Sequence, residues 1–217
     1  MTKRCLFLAA LTPLLTSCVP WTVRPIGKTD ASSESGPSVS DPAAYVESLW
    51  ASKLVPSIVG SATSARVLLD AIAASPDGAG EKYGRRESGG AWQFRVKGEG
   101  HAIELDTHSR NGLLLLDLAP YDGRADVSIQ IGPVLRGTAL RDATGLIRFT
   151  DFVNQIQFAD VANELNKRVL AKVLAPVGLS AAKGKTVSFA GAFTLEGAGE
   201  PLIRGVVPVS LAVEGTP

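Results

Sequence analysis

The sequence predicts an α+β fold: a mostly antiparallel small β-barrel or coiled sheet with flanking helices. Near residue 91 the apolar residues change from helical spacing to strict alternation. Turn residues then punctuate short alternating runs, as in small all-β units. A long amphipathic stretch, 158–173, falls between two groups of strand patterns and so places a helix within the order of strands.

Asp41-Pro42 opens the first helix, because Asp41 can accept first-turn amides and Pro42 fits the first helical position. Tyr45, Val46, Leu49, Trp50 and Leu54 follow at helical spacing. Pro56 is expected to interrupt. A second helix over about 58–74 is expected to bury Val67, Leu68 and Ile72, and Ser75-Pro76-Asp77-Gly78 to end it. Next, Trp92, Phe94 and Val96 alternate with polar residues, Gly98 and Gly100 read as a turn or bulge, and His101, Ile103 and Leu105 share one face of a further strand. Asn111-Gly112 turns into the apolar run 113–118, which suits a strand buried on both faces. After Tyr121-Asp122-Gly123, Val127, Ile129 and Ile131 alternate with Ser128 and Gln130. Four short strands in about forty residues point to an OB-like barrel or a coiled sheet.

Phe158, Val161, Leu165, Val169 and Val173 form the apolar stripe of the amphipathic helix, which Pro176 and Gly178 end. Two strands close the chain, with Val187, Phe189, Phe193 and Leu195 on one face and then Val207, Val209, Leu211 and Val213. No internal repeat is evident.

The N-terminus predicts the address. Lys3 and Arg4 precede an apolar segment, 5–15, that is too short to span a bilayer and reads as the core of a signal peptide. Leu15-Thr16-Ser17-Cys18 has the form of a bacterial lipobox, so residues 1–17 are expected to be removed and Cys18 to be lipidated. Val19 rather than aspartate follows, which favours outer-membrane sorting in a two-membrane bacterium. Residues 18–40, rich in Ser, Pro, Gly and Asp, read as a flexible tether, and 41–217 as the folded domain.

The full chain carries a formal charge of +1. Loss of Lys3 and Arg4 leaves twenty basic against twenty-one acidic residues. Such a balance provides no field for steering nucleic acid, and no nucleic-acid partner is expected; an OB-like nucleic-acid-binding module, by fold analogy alone, or a hydrolase is the lesser alternative. Beyond Cys18 there is no cysteine, hence no internal disulfide and no thiolate metal site.

Tyr83-Gly84-Arg85-Arg86-Glu87, the segment WQFRVKGEGHAIELDT and above all IQIGPVLRGTALRDA with the adjoining FTDFVNQIQFADVANELN resemble the bacterial predicted periplasmic lipoproteins catalogued as domain of unknown function 2291. The resemblance runs from about Asp41 to the end. It implies a periplasmic lipoprotein, often encoded beside sugar ABC transporter genes, and so a membrane-anchored accessory or binding module with ABC transporter components as partners. It assigns no catalytic residue.

The residues themselves predict no enzyme. His101 and His108, the only histidines, lack zinc-pair spacing, and there is no HExxH, no GxSxG and no phosphate loop. His101 reads as a core histidine, and Asp106 and Asp117 as strand-end or turn caps rather than a carboxylate pair. No cofactor or metal is expected. The stretch with most chemistry is Ile129 to Ala143. Thr138 stands where it can cap a short helix, and Arg136, Gly137, Thr138 and Arg141 together can hold a carboxylate or phosphate, or a small sugar acid. Alternatively Arg136 and Arg141 pair with acids such as Asp142, Asp151 or Asp122 and lock a corner, the outcome expected for both. Arg85 and Arg86 read either as an ion-paired loop with Glu87 or as one wall of a shared basic patch.

Overall fold

The computed structural model describes residues 39, 41–87, 89–197 and 202–215. The expected signal peptide, Cys18 and nearly all of the expected tether lie outside these residues.

Asp41 caps α1 (Pro42–Leu49), accepting from the Ala43 and Ala44 amides at 2.9 and 3.2 Å. Pro56 does not interrupt the helical path. The chain widens into a π-helical segment, Trp50–Leu54, and continues as α2 (Val55–Ser61) with the proline in the first turn, where its missing N–H breaks no helical bond. The break comes instead at Ala62, whose extended backbone lets Thr63–Ser64 pair in parallel with Val96 and Lys97. Helix α3 (Ala65–Ala74) then buries Leu68 and Leu69 and leaves Val67 exposed, because the earlier break rotates the buried stripe by one position. Ser75-Pro76-Asp77-Gly78 ends α3 and also begins α4 (Pro76–Tyr83), with the Ser75 hydroxyl accepting from the Gly78 amide.

Five strands close a mixed barrel: β1 (Gln93–Asp106), β2 (Leu113–Asp117), β3 (Val127–Gln130), β4 (Thr186–Thr194) and β5 (Ile203–Val213). Their order is β1-β2-β3-β5-β4, with β4 returning to β1. Within the barrel β3 and β5 run parallel, and the other pairs are antiparallel. The two strands expected before Asn111 are therefore one. Gly98 and Gly100 do not turn the chain; β1 passes through them, pairing with β4 over 93–101 and with β2 over 101–106. At Gly100 the Asp117 carbonyl lies 2.6 Å from where a Cβ would stand, so only glycine lets β1 cross β2 at that distance. The bulge falls beyond them, between Ala102 and Glu104, which separates His101 from the apolar face it was expected to share.

Phe94, Val96, Leu114, Leu116, Val127, Ile129, Val187, Phe193 and Val206 fill the core. The run 113–118 is buried mainly on one face, since Leu113 and Leu115 are only half-buried. Between β3 and β4 lie a single helical turn, α5 (Ala139–Asp142), and α6 (Gln155–Val169), which a π-helical segment extends to Leu174. Val161, Leu165, Val169 and Val173 of the expected stripe are buried, and Phe158 packs against the core half-buried. Among the described residues no helix is long and apolar enough to cross a membrane.

Candidate functional site

The alternation that buries Val127 and Ile129 turns Ser128 and Gln130 to the outer face of the barrel. Register sets Leu113 beside Gln130 and Leu115 beside Ser128. Both polar side chains are nonetheless buried, because the segment after β3 and the start of β5 fold over them. Gln130 Nε2 donates to the Arg136 and Gly205 carbonyls, each at 3.0 Å, and its Oε1 accepts from the Arg136 amide at 2.7 Å. Ser128 Oγ accepts from the Gly205 amide at 2.8 Å. From the other side, the β1–β2 turn is tied to the segment after β3: the Asn111 carbonyl accepts from Gly132 at 2.8 Å and the Arg110 carbonyl from Val134 at 2.9 Å.

These bonds frame a groove of about 350 Å³. Leu113, Ser128 and Gln130 form its floor. Asn111, Arg136, Gly137 and Ala139 stand on one side, with Thr194, Glu196, Arg204 and Gly205 on the other. The size is at the small end of ligand sites. Arg136 is exposed there, and its guanidinium has no hydrogen-bond or ion-pair partner among the described residues. Arg204 lines the same groove and has a partner of its own. A guanidinium offers five donors in a fixed planar fork, which matches a carboxylate or phosphate. The Asn111, Ser128, Gln130 and Thr194 side chains bring neutral polar groups to the same lining.

The expected site residues are divided by the fold. Arg136 and Gly137 line the groove, and the Gly137 carbonyl accepts from Asn166 Nδ2 at 3.1 Å. Thr138 occupies the N-cap position of α5, but its side chain makes no capping bond, and that single turn presents no anchoring N-terminus. Arg141 is not in the groove. Its Nε and Nη2 meet the two Asp142 carboxylate oxygens at 2.7 and 3.1 Å, its Nη1 donates to the Phe158 carbonyl at 3.1 Å, and the guanidinium lies 3.7 Å over the Phe158 ring. Arg141 thus locks the α5–α6 corner. Replacement by methionine is expected to lower stability by about 2 kcal/mol, below the figure for a fully buried pair because Asp142 keeps contact with water; urea denaturation measures it. Arg136 departs from the expected corner-locking ion pair, since the Gln130 amide performs that task through the Arg136 backbone.

Arg85 and Arg86 build no shared basic patch with this groove. Arg85 pairs with Glu87 at 3.2 Å and packs against Gly145, whereas Arg86 lies 4.0 Å over Trp92 with Asp77 at 3.8 Å. His101 is an exposed residue stacked on Tyr121 at 3.9 Å, not a core histidine. Asp106 and Asp117 sit at opposite ends of the β1–β2 ladder. Asp106 accepts from the His108 and Ser109 amides, and the Ser109 side chain, followed by those two amides, holds its carboxyl below the usual range. Asp117 accepts from the Gly123 amide at 2.7 Å. Among the described residues no group of three or more His, Cys, Asp and Glu is placed to hold a metal ion.

Gln130, Glu196 and Arg204 join the site without a local sequence signal. The polar side of an alternating strand reads as solvent-facing, and nothing near Gln130 in the chain indicates that the segment after β3 and the start of the distant β5 close over it.

The sequence profile of a family described as predicted periplasmic lipoprotein (DUF2291) matches residues 8–212. No curated protein sequence matches significantly. The fold is similar to the crystal structure of an OB-fold protein from Thermotoga maritima, with a TM-score of 0.68 and 23% identity over 80% of this chain and 98% of that one. The likeness identifies the five-stranded mixed barrel as an OB-fold.

Proposed function

Since the chain belongs to the predicted periplasmic lipoprotein family (DUF2291), and membership implies anchoring to a membrane, we propose that it is a binding module that holds a small anionic compound in the groove beside β3. The observation that carries this reading is the Arg136 guanidinium, exposed in the groove with no carboxylate against it among the described residues. The anchor is the lipidated Cys18, with the outer membrane as its destination in a two-membrane bacterium.

The lining narrows the ligand class. Among the described residues no aromatic side chain lines the groove, so they supply none of the stacking platforms that hold single-stranded nucleic acid. The exposed Arg136 guanidinium favours a carboxylate or phosphate, as in a sugar acid or sugar phosphate, over a neutral sugar. A role as accessory to a sugar ABC transport system fits this ligand class.

Thermal unfolding with added compounds tests the reading. Sugar acids or sugar phosphates at a hundred times their Kd are expected to stabilise the domain by about 2.7 kcal/mol, and neutral sugars much less. Arg136→Met is expected to leave the midpoint of the unliganded protein unchanged and to abolish the anion-dependent rise. Equal stabilisation by neutral sugars, or a variant that responds to anions as the parent does, refutes the proposed site.

A further inference from the structure

Four large apolar side chains meet solvent within eleven residues of the turn that leads into α6. Leu146 is 38%, Phe149 44%, Val153 68% and Ile156 73% exposed. Isolated exposed apolar residues are ordinary, but a cluster marks a surface that meets something apolar. The surface beneath is firm: Phe149 and Phe152 each pack against Phe158 at 5.5 Å, and Tyr45 meets Phe152 edge-on at 5.6 Å.

Tyr45 belongs to the first turn of α1, which the chain enters through Asp41. The segment leading back to Cys18 therefore joins the domain about one helical turn from this patch. Twenty-two residues separate Cys18 from Asp41, a reach of at most about 80 Å when fully extended. The patch therefore lies on the side of the domain from which the chain departs toward its anchor. Arg148, 68% exposed, stands within the apolar stretch in a loose 3.8 Å ion pair with Asp151, and its outward guanidinium can exchange that partner for a lipid phosphate. Aromatic and aliphatic side chains around an exposed basic residue are the composition of an interfacial contact.

We propose that the face formed by Leu146, Phe149, Val153 and Ile156 seats on the phospholipid surface to which the chain is anchored. The inference rests on anchoring through Cys18 and is independent of the groove and its ligand. Tethering makes the contact intramolecular in effect, so a face too weak to hold a free protein at a membrane still settles the orientation of an anchored one. The groove is then carried at a defined attitude above the lipid.

The mature lipoprotein offers a clean probe, since Cys5 leaves with the signal peptide and Cys18 is occupied, so one introduced cysteine is the only free thiol. Full-length lipidated protein carrying Ile156→Cys, or Val67→Cys on α3 as the comparison, is labelled with a nitrobenzoxadiazole fluorophore and reconstituted into phosphatidylethanolamine and phosphatidylglycerol vesicles. A lipid bearing a shallow nitroxide is the quencher. Emission from position 156 is expected to fall roughly twofold, as for a group buried at the headgroup boundary, and emission from position 67 to stay unchanged. Adding Val153→Asp, an exposed substitution that leaves the core intact, is expected to restore the emission from position 156. Equal quenching at both positions overturns the proposal. So does a blue-shifted, unquenched label at position 156, which assigns the face to the tether, a second copy or another protein. Vesicle flotation is scored first: a chain that does not float refutes the anchoring and the seating with it, whereas a chain that floats unquenched refutes the seating alone.

Discussion

Replacing Phe94 with alanine is expected to remove about 3 to 5 kcal/mol of stability, the usual range for emptying a buried phenylalanine site. Phe94 is fully buried and pairs in register with Phe193 across β1 and β4, the rings stacked with centroids 5.2 Å apart. The loss combines the apolar transfer term, the aromatic contact and a cavity whose walls are strands that cannot collapse without breaking ladder bonds. Urea denaturation by circular dichroism measures it, and the slope should match that of the parent protein. Ile156→Ala, at a largely exposed apolar position, provides the contrast and is expected to change stability by less than about 0.5 kcal/mol. A loss at Phe94 no greater than at Ile156 contradicts the described core.

Gln130→Leu is expected to cost about 3 to 5 kcal/mol for a different reason. Leucine fills similar space, so no large cavity forms, but three backbone groups lose their partner: the Arg136 amide, the Arg136 carbonyl and the Gly205 carbonyl. An unsatisfied buried polar group costs about 1 to 3 kcal/mol, and water reaching the exposed Arg136 recovers a part. The groove should suffer as well. With Arg136 no longer held at its backbone, anion-dependent stabilisation is expected to disappear even at temperatures where the variant remains folded. Arg136→Met is the informative partner, predicted to lose the ligand response without the stability, so the pair separates holding the arginine from being the arginine. A Gln130→Leu protein as stable as its parent contradicts the bonding scheme.

The contrast between those two positions shows how far the residues could be read directly. The period-two pattern located β3, β4 and β5 because one buried face imposes its alternation on the sequence, and the stripe of α6 was legible for the same reason; β2 was found as an apolar run, whose all-leucine composition hid that only one of its faces is buried. The failures lie where distant parts of the fold override a local signal. Gly98 and Gly100 look like punctuation, yet one long strand runs through both, passing close to Phe189 at the first and to the Asp117 carbonyl at the second. Pro56 looks like a stop, yet the π-helical segment before it places it in a first turn that needs no N–H. Arg136 and Arg141 look like a pair because five positions separate them; the intervening corner sends one to Phe158 and the other to the groove. Glu196 and Arg204 flank the β4–β5 connection, and their approach to β3 depends on barrel closure, which has no counterpart in neighbouring residues.

Strand β1 also sets the timing of folding. Its N-terminal half pairs with β4, so Gln93 meets Thr194 across roughly a hundred residues of chain, and the entropy of closing that loop must be met before the contact repays it. A chain growing from its N-terminus has β1, β2 and β3 in hand while one edge of β1 and the free edge of β3 both await partners encoded last. Open edges of this kind invite pairing with other chains. The barrel is consequently a late-closing object: truncation between β3 and β5 leaves a curled three- or four-stranded sheet with sticky margins rather than a smaller version of the domain, and its maturation is most exposed to aggregation in the interval before the final strand docks.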